Sequence, residues 1–293
     1  MTSDRKQLAR HALGAALQLR TGNGKNLVDP ICVYDFAESL RIEVRFVDIS
    51  SLEGMYSAWP RPAIILGSER PAGRRAYSCG HELGHHHFGH GARVDELRPS
   101  DADAPPFEPE EFLAQSFAGF LLMPKLAICN AFTIRGWKPN APTPEQIYRI
   151  SNVFGVTYSG LIYHMARALR LLAHARAEQL LSAKLPTIRA QFITDPKRQL
   201  VMLDDFWKGR PIDLEVGDLV HAPSGIVCEG GCLLHIEHTA SRELFEASQP
   251  GHGRFTNPRT GWASFARVSR RFYVGRSIYR HLEEVADEYS PTN

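Results

Sequence analysis

The chain has 293 residues, 43% hydrophobic and 23% charged, with a net charge of +2. These values describe an ordinary globular protein with room for two domains, and they exclude a bulk-charge argument for nucleic-acid binding. Five irregularly spaced cysteines give no disulfide framework, and neither a signal-peptide core nor a membrane-length apolar run stands out, so a cytoplasmic protein with no membrane partner is expected.

In chain order, Gln7 to Leu19 reads as an amphipathic helix closed by Gly22-Asn23-Gly24, and Pro30 to Leu40 as a second, shorter one. Ile42 to Val47 alternates apolar and polar residues, as a half-buried strand does, and Ala63 to Leu66 is a short buried strand. Arg74 to about His87 is helical. A Pro- and Asp-rich loop runs from Arg98 to Pro109, and Glu110 to Met123 forms a strong helix stopped by Pro124. Thr143-Pro144-Glu145 opens a further helix, which a turn at Phe154 to Thr157 separates from another reaching about Leu181. Beyond Leu185 the composition changes. Phe192 to Leu203, Asp213 to Val220, Gly225 to Val227 and Cys232 to His238 read as short strands between Gly, Pro and Asp turns. The expected fold is therefore α+β: a mostly helical domain with a small sheet over residues 1–185, then a smaller strand-rich domain over 186–293.

The helix from Arg74 carries His81-Glu82-Leu83-Gly84-His85, an HExxH motif. Residues four apart share a helix face, so both imidazoles can hold one Zn2+, and Glu82 is placed to take a proton from a water at the metal. A catalytic zinc usually has a third protein ligand. The metzincin pattern fails, because Phe88 and Gly91 stand where its Gly and His belong. His86, His87 and His90 point in other directions if the helix continues, while Asp95 and Glu96 stay open as loop ligands. The best third ligand is Glu111, at the start of the next helix, with Glu110 as its alternative; a first-turn acid serving the helix dipole is the bland reading.

Two blocks resemble the ImmA/IrrE metallopeptidases. Arg75 to His85 is similar to that family's Arg-x-Phe-Thr-x-Ala-His-Glu-x-Gly-His block, and Glu111 to Pro124, ending Leu121-Leu122-Met123-Pro124, to its second block. Phe154-Gly155-Val156-Thr157 resembles a turn found in many members. The likeness spans roughly residues 25–175; Gln115, Gly80 and Cys79 depart from the pattern without removing a candidate ligand or base. The resemblance implies a zinc peptidase with a helix-turn-helix transcriptional repressor as substrate, acting on stress, phage or mobile-element genes. It also implies that the region after Leu185 is a sensor, since some members carry a GAF-like domain there.

Four other patterns need weighing. The helix-turn-helix-like segment at about 142–181 has Arg167 and Arg170, but Leu161, Ile162, Met165, Leu169 and Leu172 suit packing better than DNA reading. Cys228, Cys232, His235 and His238 suggest a second zinc, yet His235 and His238 on one regular strand would face opposite sides. Tyr163 and His164 could stabilise an oxyanion, although packing explains them as well. Finally, Arg254 to His281 holds seven arginines and no acid, interleaved with aromatics. That pattern fits single-stranded nucleic acid as an activating ligand, with Arg267, Arg270, Arg271 and Arg276 as contacts; the bland reading is aromatic core with arginines balanced by Glu283, Glu284, Asp287 and Glu288. A DNA-binding regulator with a structural zinc and no proteolysis is the rival function.

Overall fold

The computed structural model describes residues 3–96 and 107–282. The chain forms two compact units, Met1–Lys184 and Leu185–Asn293. Its class is α+β, with helices and a small sheet in the first unit and a strand-rich second unit.

The first unit opens with α1 (Ser3–Gly22) and α2 (Val33–Ser39), followed by strands β1 (Glu43–Val47), β2 (Leu52–Ser57) and β3 (Ala63–Gly67). Helix α3 (Ala72–Phe88), the edge strand β4 (Arg93–Glu96) and α4 (Pro109–Leu122) come next. The strands lie in the order β1-β3-β2-β4, with β1 parallel to β3 and both other pairings antiparallel. Alternation along β1 buries Val44 and Phe46, as the sequence pattern predicts. Neither β2 nor β4 has a strong pattern in sequence. The loop expected from Arg98 to Pro109 falls mostly outside the described residues.

Helix α3 packs on β2 and β3 with one face and on α4 with another. The α3–α4 crossing is close because Gly84 and Gly80 face Ala114 and Ala118. A Cβ on Gly84 would lie 3.0 Å from the Ala114 Cα, and one on Gly80 would lie 3.3 Å from the Ala118 Cβ. Helix α1 covers another side of α4, and its buried Arg20 ties the two ends together. The Arg20 guanidinium donates to the Leu121 carbonyl (2.6 Å) and the Asn26 carbonyl (2.9 Å). Burial pulls this guanidinium down to about 10 despite the opposing charge of Asp29.

After Pro124 the chain re-enters helix as α5 (Lys125–Thr133), which the sequence reading did not anticipate. The stretch Pro109–Thr133 is long and apolar enough, by length and composition, to cross a membrane, contrary to expectation, but 67% of its most apolar window is buried inside the protein. It reads as a pair of core helices.

Helix α6 (Pro144–Val153) has the expected start: Thr143 and Gln146 form a reciprocal capping box. Helix α7 (Tyr158–Tyr163) begins at Thr157, but the continuous helix expected to about Leu181 does not form. It widens into a π turn at His164–Ala168 and breaks at Arg170, which has φ +52°; α8 (His174–Leu181) restarts beyond. The anchor at this point is His164, whose Nε2 bonds the Met123 carbonyl at 3.0 Å and whose ring fills the space beside Gly119, where a Cβ would sit 2.7 Å from Nδ1. Tyr158, Leu161, Ile162 and Met165 are buried, so the apolar face of this segment is used in packing.

In the second unit, α9 (Leu185–Arg189) precedes two four-stranded sheets. One has the order β5 (Leu200–Met202), β7 (Leu219–Pro223), β10 (Arg242–Ala247), β9 (Leu233–His238). The other has β6 (Pro211–Glu215), β12 (Trp262–Ser269), β11 (Gly251–Asn257), β8 (Val227–Glu229). Three sequence expectations change here. Only Leu200–Met202 of the strand expected from Phe192 forms, because Asp195-Pro196 makes a turn in which the Asp195 carboxylate accepts the Lys197 N–H (3.1 Å). The strand expected from Asp213 to Val220 is two strands in different sheets, divided at Gly217 with φ +96°. And His235 and His238 do not face opposite sides. A bulge leaves Ile236 unpaired between Glu237↔Leu244 and His235↔Phe245, so both imidazoles reach the buried Glu243 carboxylate, at 2.9 and 2.8 Å.

Two predictions follow from the first unit's packing. Gly84→Val should force α3 and α4 apart, costing roughly 1–3 kcal/mol by overpacking and lowering Tm by on the order of 3–10 °C; calorimetry would show it. His164 is pushed down to about 4 by burial, with its bond to Met123 opposing that. Its folded value lies below the unfolded one near 6.5, so its contribution is intact above about pH 6.5 and lost as pH falls toward 4, on the order of 3 kcal/mol in all. Denaturant titrations of wild type and His164→Gln across that range should show a shallower acid loss in the variant.

Candidate metal centre

The motif occupies the buried side of α3: His81, Glu82, Leu83, Gly84 and His85 are all buried. The two imidazoles present their Nε2 atoms to each other at 3.0 Å. From α4, Glu111 places one carboxylate oxygen 3.2 Å from His81 Nε2 and the other 3.4 Å from His85 Nε2. A tetrahedral zinc with bonds of about 2.0–2.1 Å separates its ligand atoms by about 3.3 Å, so these three donors fit a divalent metal without rearrangement. Imidazole nitrogen with carboxylate oxygen is a donor set that zinc accepts. Glu110, the alternative in sequence, is exposed on the same turn; Glu111 is the residue in reach.

The bonds from the two histidines are the main reason the Glu111 carboxyl is held well below the usual range. Burial pulls His81 down, but hydrogen bonds to Asp95 and Glu111 outweigh it and raise the imidazole to about 9. Glu82 shows the opposite balance. Burial is the largest effect, the positive charge of His81 offsets part of it, and Asp95 and Glu111 add to it, so the carboxyl is raised to about 8. Both Glu82 oxygens are buried with no hydrogen-bond partner among the described residues. A desolvated, unpaired carboxyl beside three metal donors is costly to maintain as structure and suited to trading a proton with a water at the metal.

Sequence reasoning missed what makes room for Glu82. Gly54 of β2 lies against it, and a Cβ there would stand 2.6 Å from Glu82 Oε1. The only signal was a glycine inside a short strand. Opposite Gly54 in the sheet is Asp95 of β4, whose Oδ2 lies 2.9 Å from His81 Nε2. Asp95 thus belongs to a second group of donors with His81 and Glu82, while Glu96 beside it is exposed.

The other sequence candidates lie elsewhere. His164 is committed to Met123 and Gly119, and Tyr163 is partly exposed with the Arg167 guanidinium 4.6 Å from its ring centre. In the second unit, Arg267 makes a two-pronged ion pair with Asp213 (2.7 and 2.7 Å), and Arg271 approaches Asp218 at 3.7 Å. Arg270 donates to the Leu282 carbonyl, and Arg276 lies over Tyr279. Of the interleaved aromatics, Phe255, Trp262 and Tyr273 are core, whereas Phe265 and Phe272 are exposed. The acids at 283, 284, 287 and 288 lie outside the described residues. Neither Cys228 nor Cys232 is in a disulfide, and no compact metal-donor group forms around them among the described residues.

Residues 37–164 match the family model Peptidase_M78, described as an IrrE N-terminal-like domain. The chain carries an IrrE N-terminal-like domain. The match holds all three donors and Glu82, agrees with the family resemblance seen in the two sequence blocks, and makes this a domain of metallopeptidase type. No curated protein matches the chain.

The two candidate carboxylates can be separated by metal affinity. Glu111→Ala should weaken zinc binding by more than about 100-fold, since even groups that only orient ligands are worth 10–100-fold; Asp95→Ala should stay within a few-fold of wild type. The reverse ranking in a chelator competition would assign the third ligand to Asp95.

Proposed function

We propose that this protein is a zinc endopeptidase of the cytoplasm that cuts a helix-turn-helix repressor at one site, so derepressing stress, defence or mobile-element genes. The observation that carries the peptidase reading is Glu82: buried, raised to about 8, and unpaired beside His81, His85 and Glu111. His81, His85 and Glu111 would hold the metal. When bound, it supplies Lewis acidity toward a peptide carbonyl and toward water. Glu82 then takes the proton from the attacking water and delivers it to the leaving amine, and a buried carboxyl with no competing hydrogen bond is suited to both transfers. The narrow substrate class rests on the IrrE-like domain alone. In the same proposal, the unit Leu185–Asn293 gates activity. The ion pairs of Arg267 and Arg271 weigh against single-stranded nucleic acid as the gating ligand.

The rival, a DNA-binding regulator with a structural metal, needs a closed set of protein ligands and has no use for an unpaired buried carboxyl. Co-expression with any small helix-turn-helix protein encoded beside the gene tests the choice. Glu82→Gln should keep zinc and lower the rate of repressor cleavage by roughly 10²–10⁴-fold or more. Cleavage by Glu82→Gln at the wild-type rate would exclude this mechanism.

A further inference from the structure

His85 uses one nitrogen toward the metal donors and the other toward a residue that neither the motif nor the domain match singles out. Its Nε2 faces His81 and Glu111, and its Nδ1 lies 2.9 Å from Nδ1 of His90. Resting on the reading of His81, His85 and Glu111 as metal ligands, we infer that His90 is a positioning residue that fixes the tautomer and ring orientation of His85. A neutral imidazole carries one proton. If Nε2 offers its lone pair to a metal, Nδ1 must carry that proton, and His90 Nδ1 is the acceptor in reach. His90 in turn carries its own proton on Nε2.

The contact depends on how α3 ends. Along an unbroken helix, five residues would place His90 about 140° round from His85. Instead Gly89 takes a left-handed φ of +69° and ends the helix. The His90 backbone N–H then bonds the His85 carbonyl at 3.1 Å, turning the chain back over the helix end. The His90 ring stacks on Phe88 (centroids 5.7 Å apart, 23° between planes) and meets the His85 ring edge-on. Metal-bound imidazoles almost always donate their second N–H to a carboxylate, carbonyl or water. Here an imidazole fills that role for His85, while the Nδ1 of His81 is buried with no partner among the described residues. His85 is therefore the better-oriented of the two ligands, and His90 is what orients it.

The experiment is a zinc titration of the full chain against a chromophoric chelator, for wild type, His90→Leu, His90→Asn and His81→Ala. Asn carries an acceptor oxygen at the same number of bonds from the backbone as Nδ1, whereas Leu keeps bulk and loses the acceptor. His90→Leu should bind zinc 10–100-fold more weakly, and His90→Asn should recover to within a few-fold of wild type. The metal-free chains should melt alike. Zinc affinity of His90→Leu equal to wild type would overturn the proposal, as would a His90→Asn variant as weak as Leu, since packing alone would then account for the residue. A wild type that binds no zinc, or a His81→Ala variant that binds it unchanged, would instead remove the metal reading itself and the role of His90 with it.

Discussion

The close crossing of α3 and α4 is the constraint on which the site depends. Two glycines and two alanines let the helix backbones approach, and the approach carries Glu111 to 3.2 and 3.4 Å from two nitrogens on another helix. A methyl group at Gly84 would press on the Ala114 backbone, so α4 would have to give by a few tenths of an ångström. Gly84 thus helps to set where Glu111 sits, although it contributes no atom to the donor group. On another side of α4, Arg20 donates to the Leu121 carbonyl near the helix's C-terminal end and to the Asn26 carbonyl, tying α4 to the segment after α1.

The same packing sets the electrostatics. A site made of two imidazoles and three carboxyls within a few ångströms is dominated by mutual repulsion unless positive charge is present. The carboxyl that receives hydrogen bonds from both histidines is acidified, and the one that receives none is pushed up to about 8. One glutamate is held ionised by its hydrogen bonds, and the other is driven toward its protonated form mainly by burial. Gly54 keeps Glu82 in its desolvated position without offering it a bond. That is a destabilising arrangement that the rest of the unit holds in place.

Much of this was legible in the chain. The convergence of His81, Glu82 and His85 is readable from spacing, because helical periodicity converts sequence distance into facing, whereas the sequence favours Glu111 with Glu110, Asp95 and Glu96 still open. The fold class followed from the change in composition after Leu185. The failures are equally physical. Gly54 reaches the site through sheet pairing, as does Asp95, which the sequence leaves open as a loop ligand but which lies on a strand; His90 arrives through a left-handed turn, and none of these placements is encoded in a local period. The helix expected to about Leu181 widens at His164, which is anchored to a residue 41 positions away, and breaks at Arg170. The run without acids between Arg254 and His281 met its counter-charges, Asp213 and Asp218, across a β-strand pairing and a turn. One bulge at Ile236 reversed the facing of two histidines, a change that strict alternation cannot foresee.

The apolar stretch Pro109–Thr133 has a consequence for biosynthesis. A segment with the length and hydropathy of a bilayer span must leave the ribosome in water and find cover before it meets other chains or an insertion machinery. Its covering helices α1 and α3 precede it in the chain, so both are already outside when it appears. Translation order therefore supplies cover for the α4 half in time, while α6 and His164 follow later, and a chain begun after Gly22 would deliver α4 with one side bare.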